Sequence, residues 1–196
     1  LHEKLIHLLK LYFFIGGMPE AVAEYVKNEN LTVVREIQLE ILDAYEKDFA
    51  KHAPPNEIMN ITTVWKQIHR QLAKENKKFI FAAIRKSARG RDYENAMQWL
   101  QDAGLIHKSY LVESPKFPLS AYAHNSIFKI FLVDVGLLGA QSNLSPQVLI
   151  DGDLLFTEFK GALTENFVAQ ELIATKNIIP YYWTSSGQAE IDFLIE

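Results

Sequence analysis

The residues of this chain best suited to chemistry are three carboxylates near its end, Glu165, Glu190 and Asp192. Carboxylates brought together from separate elements can hold Mg²⁺, which takes oxygen ligands and keeps several of its waters. A metal held in that way stabilises the charge that develops during attack on a phosphodiester. The neighbouring residues say how the acids would be positioned. Leu163, Phe167, Val168, Leu172 and Ile173 recur at helical spacing, which puts Glu165 and Asn166 at the edge of an apolar face. After the turn signal Ser185-Ser186-Gly187, residues Ala189 to Ile195 alternate as a half-buried strand does, so Glu190 and Asp192 share one side. A plainer reading stays open, in which Glu165 solvates its helix and the other two line an exposed strand face.

Composition narrows the rest. The 196 residues are 48% hydrophobic and 22% charged, enough to bury one large core or two small ones. With no cysteine, disulfides, thiolate nucleophiles and cysteine zinc sites are excluded, and a reducing cytoplasm is the expected location. Six histidines are spread from His2 to His124, and none forms an H-E-x-x-H pair. No stretch reaches the roughly 18 to 20 apolar residues of a membrane span. The chain opens at Leu1 directly on an amphipathic pattern, as a piece of a longer protein would.

The elements predict an α+β chain in three parts. Residues 1–55 read as a helical connector: a helix from His2 to Phe14 stopped by Gly16-Gly17, a second begun by Pro19, and a third from about Thr32 to His52 stopped by Pro54-Pro55. Tyr45, Asp48 and Lys51 on the third helix are either a docking face or a solvated one. Residues 56–125 show helix (about Glu57 to Lys74), the short FIFAAI segment, helix (about Tyr93 to Ala103), then Gly104 and LIHKSYLV. That order suits a winged helix with ESPKFP as its wing tip. Residues 126–196 begin with the strand FKIFLVD, continue through VGLLGAQ to the acid-bearing helix and its strand, and read as a partial α/β domain.

Charge is uneven. The formal net charge is −4, yet Lys66 to Arg91 contains nine basic residues and only Glu75, giving +8 there and −12 elsewhere. Lys74, Lys77, Lys78, Arg85, Lys86, Arg89 and Arg91 are the candidate nucleic-acid contacts, because neutralising phosphates releases counterions and supplies sequence-independent affinity. The adjoining helix displays Asp92, Glu94, Asn95, Gln98 and Gln101, which favours backbone contact over base reading. Docking of this basic surface on an acidic upstream domain and a simple solvated face are the two competing explanations.

Two resemblances sharpen these expectations. The acid-bearing helix and strand resemble the opening of a PD-(D/E)XK nuclease fold, whose next strand supplies a further acid or Gln and a Lys and would lie past Glu196. Read together, IGGMPEAV, YEKDFAKHAP, QLAKENKKF, WLQDAGLI, FKIFLVDVGLL, GALTENFVAQEL, YYW and AEIDFLI resemble the prokaryotic AAA-type ATP-binding proteins whose C-terminal half carries a domain of unknown function. That resemblance implies an upstream P-loop ATPase domain that binds ATP and docks here, a winged helix, and a nuclease-like domain. No G-x-x-x-x-G-K-[ST] occurs in this chain, so ATP belongs to the upstream domain. Three functions follow: a C-terminal regulatory or nucleic-acid-binding region of an AAA-type ATPase, with a degenerate nuclease-like domain; a Mg²⁺-dependent nuclease with Glu165 and Asp192 as ligands and Glu190 assisting; or a protein-interaction module.

Overall fold

The computed structural model describes residues 1–72, 78–84, 89–146, 157–176, 178–185, 187 and 189–196. Its architecture is α+β, with helices and one four-stranded mixed sheet in the order β2 (Ala123–Leu132), β1 (Ile106–Val112), β3 (Tyr181–Thr184), β4 (Glu190–Leu194). The chain divides into two compact units, Leu1–Pro55 with Asp134–Phe167, and Asn56–Val133 with Val168–Glu196.

In the first unit, α1 (His2–Ile15) ends where Gly16 turns to φ +72°, a conformation that L side chains resist. Pro19 opens α2 (Pro19–Asn28) at the position where its missing N–H costs nothing. Asn30 caps α3 (Leu31–His52) by accepting from the N–H groups of Thr32 and Val33. Asp134 caps α7 (Val135–Gln141) and reaches back across the chain: its carboxylate accepts from Leu137 N–H at 2.9 Å and from Gly17 N–H at 2.6 Å. Gln38 of α3, fully buried, donates to the carbonyls of Phe14 and Ile15 at 2.8 and 2.9 Å. A side chain at Gly136 would come within 2.6 Å of the Ile15 carbonyl, so this glycine permits close approach. The Gly16-Gly17 motif is therefore a structural latch. Arg35 completes it, donating to the carbonyls of Gly136 and Leu144 with its guanidinium 4.3 Å over the Phe14 ring; burial lowers its pKa to about 10.

The second unit departs from the sequence expectation at two elements. The helix anticipated from Glu57 to Lys74 is two helices, α4 (Ile58–Trp65) and α5 (Ile68–Leu72). The run Ile61-Thr62-Thr63-Val64 is β-branched and weakly helical, and Gln67 N–H bonds Val64 one residue short of helical register. Likewise the strand expected to open a separate domain is the end of β2 (Ala123–Leu132), the antiparallel return arm of β1 (Ile106–Val112). Between α5 and this hairpin lie an isolated bridge from Lys78 to Lys129, single 3₁₀ turns at Phe81–Ala83 and Gly90–Asp92, and α6 (Glu94–Asp102). Gly104, at φ +71°, ends α6 with Leu105 N–H on the Leu100 carbonyl and its own N–H on Gln101, a Schellman cap. Beside β1 runs β3 (Tyr181–Thr184) in parallel, and β4 (Glu190–Leu194) pairs antiparallel with β3 as the sheet edge. Leading to β3, α8 (Thr157–Lys176) extends from the first unit into the second.

Candidate functional site

Two of the three predicted acids converge, and they do so on a lysine. Glu190 and Asp192 project from one side of β4, and Lys129 Nζ lies 2.7 Å from Glu190 Oε1 and 3.0 Å from Asp192 Oδ1. Alternation along the strands explains the meeting: Lys129 on β2 faces Ser109 on β1, and two residues on from Ser109, Leu111 faces Tyr182 on β3. Ser109 is small and fully buried, and the ammonium sits 5.0 Å over the Tyr182 ring. Lys129 is 1% exposed, whereas the two carboxylate side chains keep 44% and 49% of their surface in solvent. The expectation of a half-buried β4 is corrected here, because its first three residues are exposed at the edge.

Electrostatics at this cluster follow from burial. Tyr182 is pushed up to about 12, first by loss of water and further by Glu190, with the Lys129 charge opposing. Its hydroxyl and that of Ser109 find no partner among the described residues. Chemically the cluster is an ion-paired ammonium with one excess negative charge. Oxygen donors of this kind suit Mg²⁺, and both carboxylates here are drawn to an ammonium. Among the described residues, no group of three or more His, Asp or Glu side chains is arranged to hold a metal.

Glu165 lies half-buried on α8, in the first unit, while its neighbour Asn166, expected at the edge of the apolar face, is fully buried. Phe167 meets the rings of Tyr12 and Phe13, each at 5.4 Å. Of the predicted nucleic-acid contacts, Arg89 and Arg91 are exposed and Lys78 is half-buried; Lys74, Lys77, Arg85 and Lys86 lie outside the described residues. Asp92, Glu94, Asn95 and Gln98 are exposed as expected, while Gln101 is half-buried. On α3, Tyr45 is half-buried, its hydroxyl held above the usual range by burial and then by the Asp134 charge, so it does not share the exposed face of Asp48 and Lys51.

Lys129 is the residue that spacing alone did not single out. A signal existed: it interrupts the apolar run from Ile127 to Val133, and a cation inside such a strand needs a carboxylate partner to be buried.

Helices, hairpin and ion-paired sheet edge together define an α+β chain whose first unit is helical and whose second unit carries the sheet. It belongs to the family described as Domain of unknown function (DUF8612), whose model matches residues 6–148. A second model, Domain of unknown function (DUF4143), matches residues 160–196, and that family is typically found in proteins associated with AAA-type ATPases. No curated protein and no solved structure matches the chain. Among the described residues no helix is long and apolar enough to cross a membrane.

Proposed function

We propose that this chain is a regulatory, nucleic-acid-binding region of an AAA-type ATPase, gripping phosphates through the basic segment from Lys66 to Arg91. The observation that carries the reading is the exposure of Lys66, Arg70, Arg89 and Arg91 around a helix–helix–helix–hairpin module. The order α4, α5 and α6 followed by β1 and β2, with Lys78 bridged to the return arm, supports reading this module as a winged helix. Fold alone does not confer binding; the cation excess on this fold supports it. Asn95 and Gln98 on α6 are engaged with Glu57 and Asp102, which leaves little for reading bases. Affinity for duplex and single-stranded DNA is expected to fall linearly in log–log form with salt. Replacing Arg85, Lys86, Arg89 and Arg91 together by Gln should reduce that slope by about 3, at 0.7–0.9 per phosphate contact. Binding that ignores salt, or no binding at all, would remove this function.

One observation favours a second reading, Mg²⁺-dependent phosphodiester cleavage: Glu190 and Asp192 meet at a lysine, the companion residue such sites require. Here Lys129 takes the place of a lysine expected from a following strand. In the full-length protein, Asp192→Asn and Lys129→Met should each abolish metal-dependent cleavage. Cleavage that survives both would exclude these residues from the chemistry.

A further inference from the structure

A cavity of about 230 Å³ opens in the second unit between α6, the two 3₁₀ turns and the β1–β2 hairpin. Its walls include the rings of Phe81, Tyr110 and Phe128, and its rim carries Arg91, Lys108 and Glu94. The rings belong to a wider cluster in which Phe81 and Phe128 lie 6.2 Å apart, Tyr110 and Phe128 5.8 Å, and Phe79 bridges Phe81 and Phe128 at 5.1 and 6.3 Å. A cluster serving only the core would be roofed by apolar side chains. This one ends at a mouth of mixed charge, with Lys108 Nζ 5.3 Å over the Phe128 ring. Burial lowers the Lys108 pKa, with Glu94 and Asp102 opposing.

We propose that this cavity binds a nucleobase together with the phosphate attached to it. The volume falls below the roughly 300–1,000 Å³ of sites that enclose drug-sized ligands, a size suited to one planar ring system. Aromatic walls supply stacking for a base. Arg91 and Lys108 supply cations for the phosphate, and Asn125 at the rim supplies an amide for a base edge. Glu94 decides against a bare anion, because a carboxylate at the rim repels phosphate and asks for donors. A base answers with its imino and amino groups, and guanine presents two adjacent donors where uracil presents one. Guanine is therefore the preferred base.

The base and phosphate could come from a free mononucleotide or from a nucleotide splayed out of a single strand; the second source rests on the function proposed above. The test titrates the chain with GMP, AMP, CMP, UMP and inorganic phosphate, following Trp99 on α6, and then with single-stranded and duplex 12-mers at fixed salt. Two variants accompany it, Glu94→Ala on the exposed face of α6 and Phe81→Leu, which keeps apolar bulk and removes the ring; circular dichroism checks that both fold. GMP should bind at least ten-fold more tightly than UMP or phosphate. Glu94→Ala should erase that preference, and Phe81→Leu should weaken every base about five-fold or more. If single strands bind and also lose affinity in both variants, the source is a polynucleotide. Mononucleotide binding without any oligonucleotide binding would sink the nucleic-acid function and keep the cavity assignment. Oligonucleotide binding that neither variant alters, with mononucleotides no better than phosphate, would overturn the cavity assignment and leave the function standing. Absence of all binding would overturn both.

Discussion

Asp134→Ala is expected to destabilise the first unit by about 3–5 kcal/mol, and Gly16→Ala by a similar amount. The carboxylate is 2% exposed and accepts from the N–H groups of Gly17, Leu137 and Gly136. Removing it leaves several donors out of reach of water, at about 1–3 kcal/mol for each that stays buried, together with the loss of the α7 cap. At Gly16 an added Cβ would overlap that same carboxylate, and φ +72° adds strain of about 1–3 kcal/mol for a residue other than glycine. All three tryptophans, Trp65, Trp99 and Trp183, belong to the second unit, so urea unfolding followed by far-ultraviolet circular dichroism is the proper readout. A loss below about 1 kcal/mol in either variant would show that the latch is not what holds α1 to α7.

The same carboxyl predicts a pH dependence. Burial raises the Asp134 pKa above 3.8, and the three N–H bonds pull it back only in part. The folded state therefore binds this proton more readily than the unfolded one. The stabilisation it adds is complete below 3.8 and is lost as pH rises through the raised value. Relative to Asp134→Asn, the wild type should gain stability as pH falls through that window. A difference between the two proteins that stays flat with pH would contradict the argument.

The helical first unit was largely legible because its signals are local. Gly16-Gly17, Pro19 and Pro54-Pro55 mark element ends by backbone conformation, and the 3.6-residue spacing of α3 is long enough to identify. Gly104 is legible for the same reason. What escaped depends on pairing at a distance. The strand at Phe128 reads as the start of something new because β1 and β2 are separated by ten residues, and nothing in either strand announces the other. Asn166 is expected at the edge of an apolar face since side-chain polarity suggests exposure; it is fully buried. The spacing of Glu190 and Asp192 revealed that they share a side, but not what that side faces, because the answer sits on β2, three places away in the sheet.

That cross-sheet cluster carries the remaining prediction, which turns on which partner is removed. In Lys129→Met the side chain keeps its bulk and its place under Tyr182, and the two carboxylates, about half exposed, regain water. The expected loss is about 1 kcal/mol, in the range of pairs with solvent access. Glu190→Gln with Asp192→Asn does the opposite, because the ammonium is 1% exposed and loses both carboxylates that hold it. Breaking a buried pair from the side that leaves the charge inside typically costs about 3–5 kcal/mol, and with partners at the surface the lower end applies here. Adding Lys129→Met to that double variant should then restore about 2 kcal/mol, since no buried charge is left to compensate. Trp183 lies on β3 opposite Ile191, between the two acids, so its fluorescence follows the affected strands directly. Should the acid double variant be milder than Lys129→Met, or the triple variant be the least stable of the three, the lysine is not held by these carboxylates in the way the distances indicate.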